Sequence, residues 1–506
     1  MLSLHVETLN LDGGGSVAMS REEATLPLFV HCDKPSRPDH THLDTWSSSY
    51  WNRYFRGVAL LALAFFLSAG YFRYGHWYHF PSPQLGIVVT TGIGLPKEVQ
   101  QAWAAHSPYF AAAEYKVPPE NCEITQVNLL QRHGARFPTA SSSRKMKIPL
   151  QKLMDATSYS DKAYEFLSNF EWDLGEAALI PLGAKEAFDS GSEHYVRYNH
   201  LIASDQLPFV RASGGERVIY SAANWTRGFS SASGQVYSPN ISVIISEAEG
   251  ANNTLEDSMC PNAHSIKEQG YAWRDRFTPV IVDRIKKAVP GADLDNGDVV
   301  ELMPLCAFET LFHGTASPFC GLFTAEEWQA REYYDDILKY YKTGHGNPLG
   351  PVQGVGYVNE LLARLSGKPV EDRTQTNRTL DSSPVTFPLD RNFYADFSHD
   401  NEMVAIYSAI GLFRQDEPPS PRRLDPTRPW RISKMTPFSG RMITEKLRCN
   451  DNGEHGEYVR ILVNDAVQPL AFCGASEEGL CEMSAFVESQ AYARSNGNGD
   501  WDKCFA

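Results

Sequence analysis

Positive charge is what this 506-residue chain is short of: 46 lysines and arginines stand against 61 aspartates and glutamates, a formal net charge of -15. Gripping a nucleic-acid backbone takes a basic face, so no nucleic-acid partner is expected. An HExxH helix is absent and no other spacing of ligand residues closes a metal site, so neither metal nor cofactor is expected. His31, Cys32, His40 and His42 match no closed set and read as part of a solvated tail. No internal repeat is visible, and Gly354-Val355-Gly356 is too short for a dinucleotide loop and reads as a tight turn.

Long apolar runs are scarce too, and one stands out: GVALLALAFFLSAGYF, at 57–72 between Arg56 and Arg73. As a helix it reaches about 24 Å, somewhat short of the roughly 30 Å hydrocarbon core. Tyr71, Tyr74, Trp77 and Tyr78 are placed to form an interfacial belt. The segment 57–73 reads as a single membrane anchor. Arg53 and Arg56 before it outnumber Arg73 after it, which favours a cytosolic N-terminus and a lumenal or extracellular C-terminal bulk. Two alternatives stay open. One is a cleaved signal sequence, with small residues at Ser68-Ala69-Gly70, which would leave a secreted protein; the other is a buried core helix.

Cysteine is nearly missing ahead of that run, where only Cys32 lies. The other eight, Cys122, Cys260, Cys306, Cys320, Cys449, Cys473, Cys481 and Cys504, all follow it. An even number on one side suits four disulfides in an oxidising compartment, with the pairing left open by sequence. Four glycosylation sequons, at Asn224, Asn240, Asn252 and Asn377, fall on the same side.

The chemistry is concentrated in Gln131-Arg132-His133-Gly134-Ala135-Arg136-Phe137-Pro138, which sets two guanidiniums around a histidine at the end of an apolar strand, 127–130. Gly134 permits a sharp turn where a side chain would clash. Each guanidinium offers a rigid fork of donors matched to phosphate oxygens. Their charge favours a bound dianion and disfavours protonation of His133, and the neutral imidazole is the form that attacks phosphorus. Downstream, Phe397-Ser398-His399-Asp400-Asn401 ends an apolar run and opens a helical stretch, 402–413. His399 and Asp400 are therefore expected at a strand end beside a helix N-terminus, where anions are favoured and a carboxyl group can protonate a leaving oxygen.

With these two clusters the chain resembles the histidine acid phosphatases, and among them the fungal phytases. Trp103 with 107–110, then 209–214, 317–320, 344–365, 380–384 and 501–506 resemble phytase segments in the same order, so the resemblance covers roughly residues 100 to 506. It implies His133 as nucleophile, Asp400 as proton donor, and Arg132, Arg136, Arg211 and His399 as phosphate-binding residues; Arg217 reads as a salt-bridge partner. It also implies the disulfides Cys122 with Cys449, Cys260 with Cys504, Cys306 with Cys320, and Cys473 with Cys481. The substrate it implies is a small phosphomonoester such as phytate. One departure bears on that substrate: where fungal phytases often carry a lysine, six residues after the second motif arginine, this chain has Ser142. Arg144, Lys145 and Lys147 are the nearby cations that a polyphosphate could use. A broad-specificity acid phosphatase, a degenerate tethered binding protein and a phosphoglycerate-mutase-like transferase are the alternatives. An acidic optimum is expected if Asp400 starts out protonated.

Strands are expected at 127–130, 209–211, 243–246, 393–397 and 459–463, and helices at 147–156, 162–169, 184–198, 325–341 and 358–365. The alternation gives an α/β sheet covered by helices on both faces. The expected organisation is a disordered cytosolic tail (1–56), the anchor (57–73), a stalk (74–96) and a phosphatase domain (97–506). That domain has an α/β core at roughly 97–160 and 360–506 and a smaller helical insertion at roughly 160–360.

Overall fold

The apolar run before the arginine-histidine motif lies inside β1 (Cys122–Arg132), whose residues from Val127 onward are all buried. A computed structural model describes residues 93–451 and 454–506. The expected tail, the anchor and nearly all of the stalk lie outside the described residues. Among the described residues no helix is long and apolar enough to cross a membrane.

The other strands are β2 (Phe209–Ser213), β3 (Ile241–Ile245), β4 (Phe393–Ser398), β5 (Arg441–Asp451), β6 (Glu454–Val463), β7 (Ala466–Val467) and β8 (Cys481–Glu482). They form a mixed sheet in the order β3-β2-β4-β1-β5-β6-β7, with β8 paired to β6. β3, β2, β4 and β1 are mutually parallel, and β5, β6 and β7 continue antiparallel. β5 is the long strand that sequence reading did not anticipate, because its middle reads Thr-Glu-Lys rather than apolar. Glu445 is buried there against its cross-strand neighbour Arg460 and accepts hydrogen bonds from Tyr198 (2.7 Å) and Tyr115 (2.9 Å), so an ion pair takes the place of hydrophobic packing.

The helices of seven residues or more, up to the last strands, are α1 (Ala140–Met154), α2 (Pro181–Tyr198), α3 (Glu216–Ala232), α4 (Glu268–Phe277), α5 (Pro279–Ala288), α6 (Asn296–Leu302), α7 (Pro304–His313), α8 (Ala325–Tyr340), α9 (Val355–Ser366) and α10 (Asp400–Ile410). The segment expected as a helix at 162–169 is a 3-10 helix.

Because side chains alternate across a strand, the sheet feeds two cores. On one face Val127, Leu129, Phe393, Ala395 and Ile443 pack with Tyr198, Trp225 and Phe229 of α2 and α3. On the other, Leu130, Tyr394, Met442 and Ile461 pack with Val358, Leu361, Met403 and Val404 of α9 and α10. Helices therefore cover both faces. A separate core unites α1, α5, α6 and α7 through Met146, Leu150, Ile281, Val299 and Phe308. The stretch 160–360 contains this helical layer, but also α2, β2, α3 and β3, which belong to the sheet.

Among the described residues there are four disulfides, Cys122–Cys449, Cys260–Cys504, Cys306–Cys320 and Cys473–Cys481. The first joins directly opposed residues of β1 and β5. Of the sequons, Asn240 is exposed just before β3, and Asn224 lies on α3. Asn252 and Asn377 line one surface pocket, where Asn252 donates to the Thr376 carbonyl at 2.9 Å.

Candidate active site

The parallel register of β1 and β4 sets Arg132 opposite Ser398, so the next residues, His133 and His399, emerge side by side beyond the carboxyl ends of the strands. Their rings meet edge to face with centroids 5.7 Å apart, and the His133 amide donates to the Ser398 carbonyl at 3.1 Å. The turn after His133 is possible because two glycines meet. A Cβ on Gly134 would lie 2.2 Å from the carbonyl oxygen of Gly183, in the first turn of α2, and a Cβ on Gly183 would lie 2.1 Å from that of Ala135. Buried Glu186 on α2 then fastens the loop by accepting from the amides of Ala135 and Tyr109, both at 2.9 Å.

Three guanidiniums face His133. Arg132 is buried, stacks 4.6 Å from the Phe438 ring centroid and donates to the Thr436 carbonyl at 2.9 Å. Arg136 donates to the Phe137 carbonyl at 2.8 Å, and Arg217, from the first turn of α3, reaches His399 Nδ1 at 3.3 Å. The Nε–H groups of all three are buried without a partner, an arrangement that favours an anion. The electrostatics agree. Burial, then Arg132 and Arg217, push Arg136 down to about 9, a penalty that a bound anion would relieve.

His133 is driven well below the usual imidazole range by burial, then by Arg132, Arg136, His399 and Arg217. It is therefore neutral. Its Nδ1 lies 2.9 Å from the Gly134 carbonyl, which can only accept, so the ring proton sits on Nδ1 and the Nε2 lone pair is free.

Asp400 opens α10 with His399 as its N-cap. Its Oδ2 lies 2.5 Å from Lys339 Nζ and its Oδ1 lies 3.6 Å from Arg132 Nη2. Burial alone would raise this carboxyl, but Arg132 and Lys339 outweigh it and hold Asp400 well below the usual carboxylate range. In the free site Asp400 is thus held as a carboxylate between two cations, so the condition attached to an acidic optimum, a carboxyl protonated from the start, is not met there.

A neutral imidazole with a directed lone pair, a guanidinium cradle and an adjacent carboxyl group are the parts needed to move a phosphoryl group through a histidine. The family model of the histidine phosphatase superfamily (branch 2) matches residues 123–464, which carry all of them. The chain belongs to that superfamily. It is 42% identical over 450 residues to phytase A of Aspergillus oryzae, covering 84% of this chain and 95% of that one. With phytase A of Aspergillus fumigatus the identity is 38% over 471 residues, covering 88% and 100%. Among solved structures, the phytase from D. castellii aligns with a TM-score of 0.65 at 25% identity, over 83% of this chain and 89% of that one.

Within this histidine phosphatase site, Arg132, His133, Arg136, His399 and Asp400 converge. Arg211 does not. It lies opposite Asp396 in the β2–β4 ladder, donates to it at 2.7 Å and to Glu360 of α9 at 2.6 Å, and is fully enclosed. Burial would lower its pKa, but Asp396 and Glu360 reverse the sign and raise it, so its charge is already spent on a structural ion pair. Arg217, six residues on and past the Gly214-Gly215 turn, is the arginine that reaches the site. Lys339, in the last turn of α8, and Glu247, two residues after β3, were also missed, since neither sits in a recognisable local pattern. Among the nearby cations, Lys145 pairs with Glu301 at 3.7 Å and Lys147 lies 4.5 Å from the Trp172 ring centroid. Ser142 donates its amide to the N-cap Thr139 of α1 at 3.3 Å.

Proposed function

We propose that this chain is an acid phosphomonoesterase acting on myo-inositol hexakisphosphate (phytate) through a phosphohistidine. The observation that carries the reading is the neutral His133, with Nε2 free, inside three guanidiniums whose Nε–H groups lack partners. In the first step His133 Nε2 attacks phosphorus in line while the bond to the ester oxygen breaks. Arg132, Arg136, Arg217 and His399 hold the equatorial oxygens. The leaving alkoxide takes its proton from Asp400, which acquires it once substrate is bound. A phosphate dianion next to Arg132 offsets the cationic field that keeps the carboxyl ionised, and this raises its proton affinity. In the second step water attacks the phosphohistidine, Asp400 accepts the water proton, and inorganic phosphate leaves.

Phytate is preferred as substrate because the relatives that cover nearly their whole length bear the name phytase A. A broad-specificity acid phosphatase is the second reading. It is favoured by Ser142 at the rim and by the prior engagement of Lys145 and Lys147 with Glu301 and Trp172. We further propose that 97–506 is the catalytic unit, with its helical layer inserted into the sheet domain, and that 57–73 anchors it on the lumenal or extracellular side of a membrane. The four disulfides support an oxidising compartment.

The test is phosphate release from phytate and from an aryl phosphate at acid pH by the oxidised protein and by His133→Ala. Turnover of both, lost in the variant, supports the phytase reading. Aryl phosphate turnover alone makes this a general acid phosphatase, and no turnover by folded protein leaves a binding protein.

A further inference from the structure

The ends of β2, β3 and β4 are tied together by one carboxylate, that of Glu247. Its Oε1 accepts from Ser213 Oγ at the end of β2 (2.5 Å), from the Gly215 amide at the N-cap of α3 (2.7 Å), and from His399 Nε2 just after β4 (2.8 Å). The Gly214-Gly215 turn leaves room for it, since a Cβ on Gly215 would lie 2.9 Å from the same oxygen. We propose that Glu247 is a positioning residue that aims His399 and supports its doubly protonated form against a bound phosphate oxygen.

A carboxylate can only accept, so His399 carries its proton on Nε2, and Nδ1 accepts from Arg217 at 3.3 Å. In that state His399 has no donor left for substrate. When phosphate arrives, Arg217 turns its N–H groups to the anion, and Nδ1 must itself become a donor. The proton comes from the monoanionic form of the phosphate ester that prevails at acid pH, and it moves from the phosphate oxygen to Nδ1. The charges facing His399 are Glu247, Arg217, His133 and Glu256, of which Glu247 alone holds a direct charge-assisted hydrogen bond to the opposite ring nitrogen. Ser213 and Gly215 donate to the same carboxylate. Together with His399 they hold it down at about 2 although burial opposes this, so it stays ionised through the acid range.

The inference rests on the reading of this pocket as a phosphate site, and calorimetric titration with inorganic phosphate tests the two separately without needing turnover. In the full oxidised chain, Glu247→Gln is expected to weaken phosphate binding at pH 5 by about tenfold or more. The alkaline end of the binding window should move to lower pH, and Glu247→Asp should recover part of both. Phosphate affinity and pH window unchanged in Glu247→Gln overturn the proposal and leave the phosphate site standing. Absence of phosphate binding by the unmodified chain overturns both. Should Glu247→Gln fail to fold, Glu247→Asp, which keeps the charge but shortens its reach to His399 Nε2, is expected to shift the window part of the way in the same direction, and an unmoved window there counts against the role.

Discussion

Lys339 Nζ and Asp400 Oδ2 lie 2.5 Å apart, so a lysine from the end of α8 holds ionised the carboxyl group that the mechanism uses as an acid. The pair joins a helix of the 325–340 region to the strand-end cluster at 398–400, and in the proposed mechanism it makes proton delivery conditional on substrate.

Replacing Lys339 by Met removes one of the two cations that depress Asp400. Its pKa then rises toward the ordinary carboxylate range, so a larger share is protonated in the free enzyme at pH 4 to 5. The limb of kcat/KM that depends on protonated Asp400 should move to higher pH. A pH–rate profile on an aryl phosphate measures it, and an unmoved limb argues against control by Lys339.

Arg217 and Arg211 should respond in opposite ways. Arg217→Ala is expected to cut kcat by about a hundredfold to a thousandfold with little change in melting temperature, because it removes a donor to the transferring phosphoryl group. Arg211→Ala is expected to cost about 3–5 kcal/mol of stability, because it strands Asp396 and Glu360 as buried carboxylates. Denaturant melts and steady-state kinetics on both variants separate the roles.

This pair marks the limit of what was legible in the chain. RHGARFP and the His-Asp pair could be read because each is local, with charge, turn and strand packed into a few residues. Which arginine reaches the site could not be chosen from Phe209-Val210-Arg211-Ala212-Ser213-Gly214-Gly215-Glu216-Arg217 alone. Strand alternation sends Arg211 toward α9, and only the partners Asp396 and Glu360, far away in sequence, reveal that its charge is taken. β5 escaped notice for a similar reason, since Glu445 reads as a surface residue until Arg460 is placed beside it. Five strands and the helix-covered sheet were readable from apolar periodicity, whereas Lys339 and Glu247 carry no local pattern and depend wholly on tertiary contact.

Asp400→Asn should slow alkyl phosphates more than aryl phosphates, because aryl oxides leave without full protonation. The ratio of kcat values on the two substrate types reports it. Equal losses would contradict the role as proton donor.

Glu402 offers a test of stability against pH. It is fully enclosed on α10, neither carboxylate oxygen has a partner, and burial with nearby Asp257 and Glu256 raises its pKa well above the usual value. The folded state therefore binds a proton that the unfolded state releases. The benefit is complete below the unfolded value and is lost as pH rises toward the folded one, at about 1.4 kcal/mol per pH unit. Glu402→Gln mimics the protonated form, so the variant should match the parent near pH 4 and be more stable at pH 7. Urea melts at the two values decide it.

The account turns on His133 as nucleophile. The most direct measurement is to quench the oxidised enzyme with alkali within milliseconds of mixing with phytate, and to locate covalent phosphate by peptide mass spectrometry. Phosphate on His133, labile to acid and absent from His133→Ala, is the predicted result. Steady turnover with no phosphoenzyme, or phosphate carried on another residue, would contradict it.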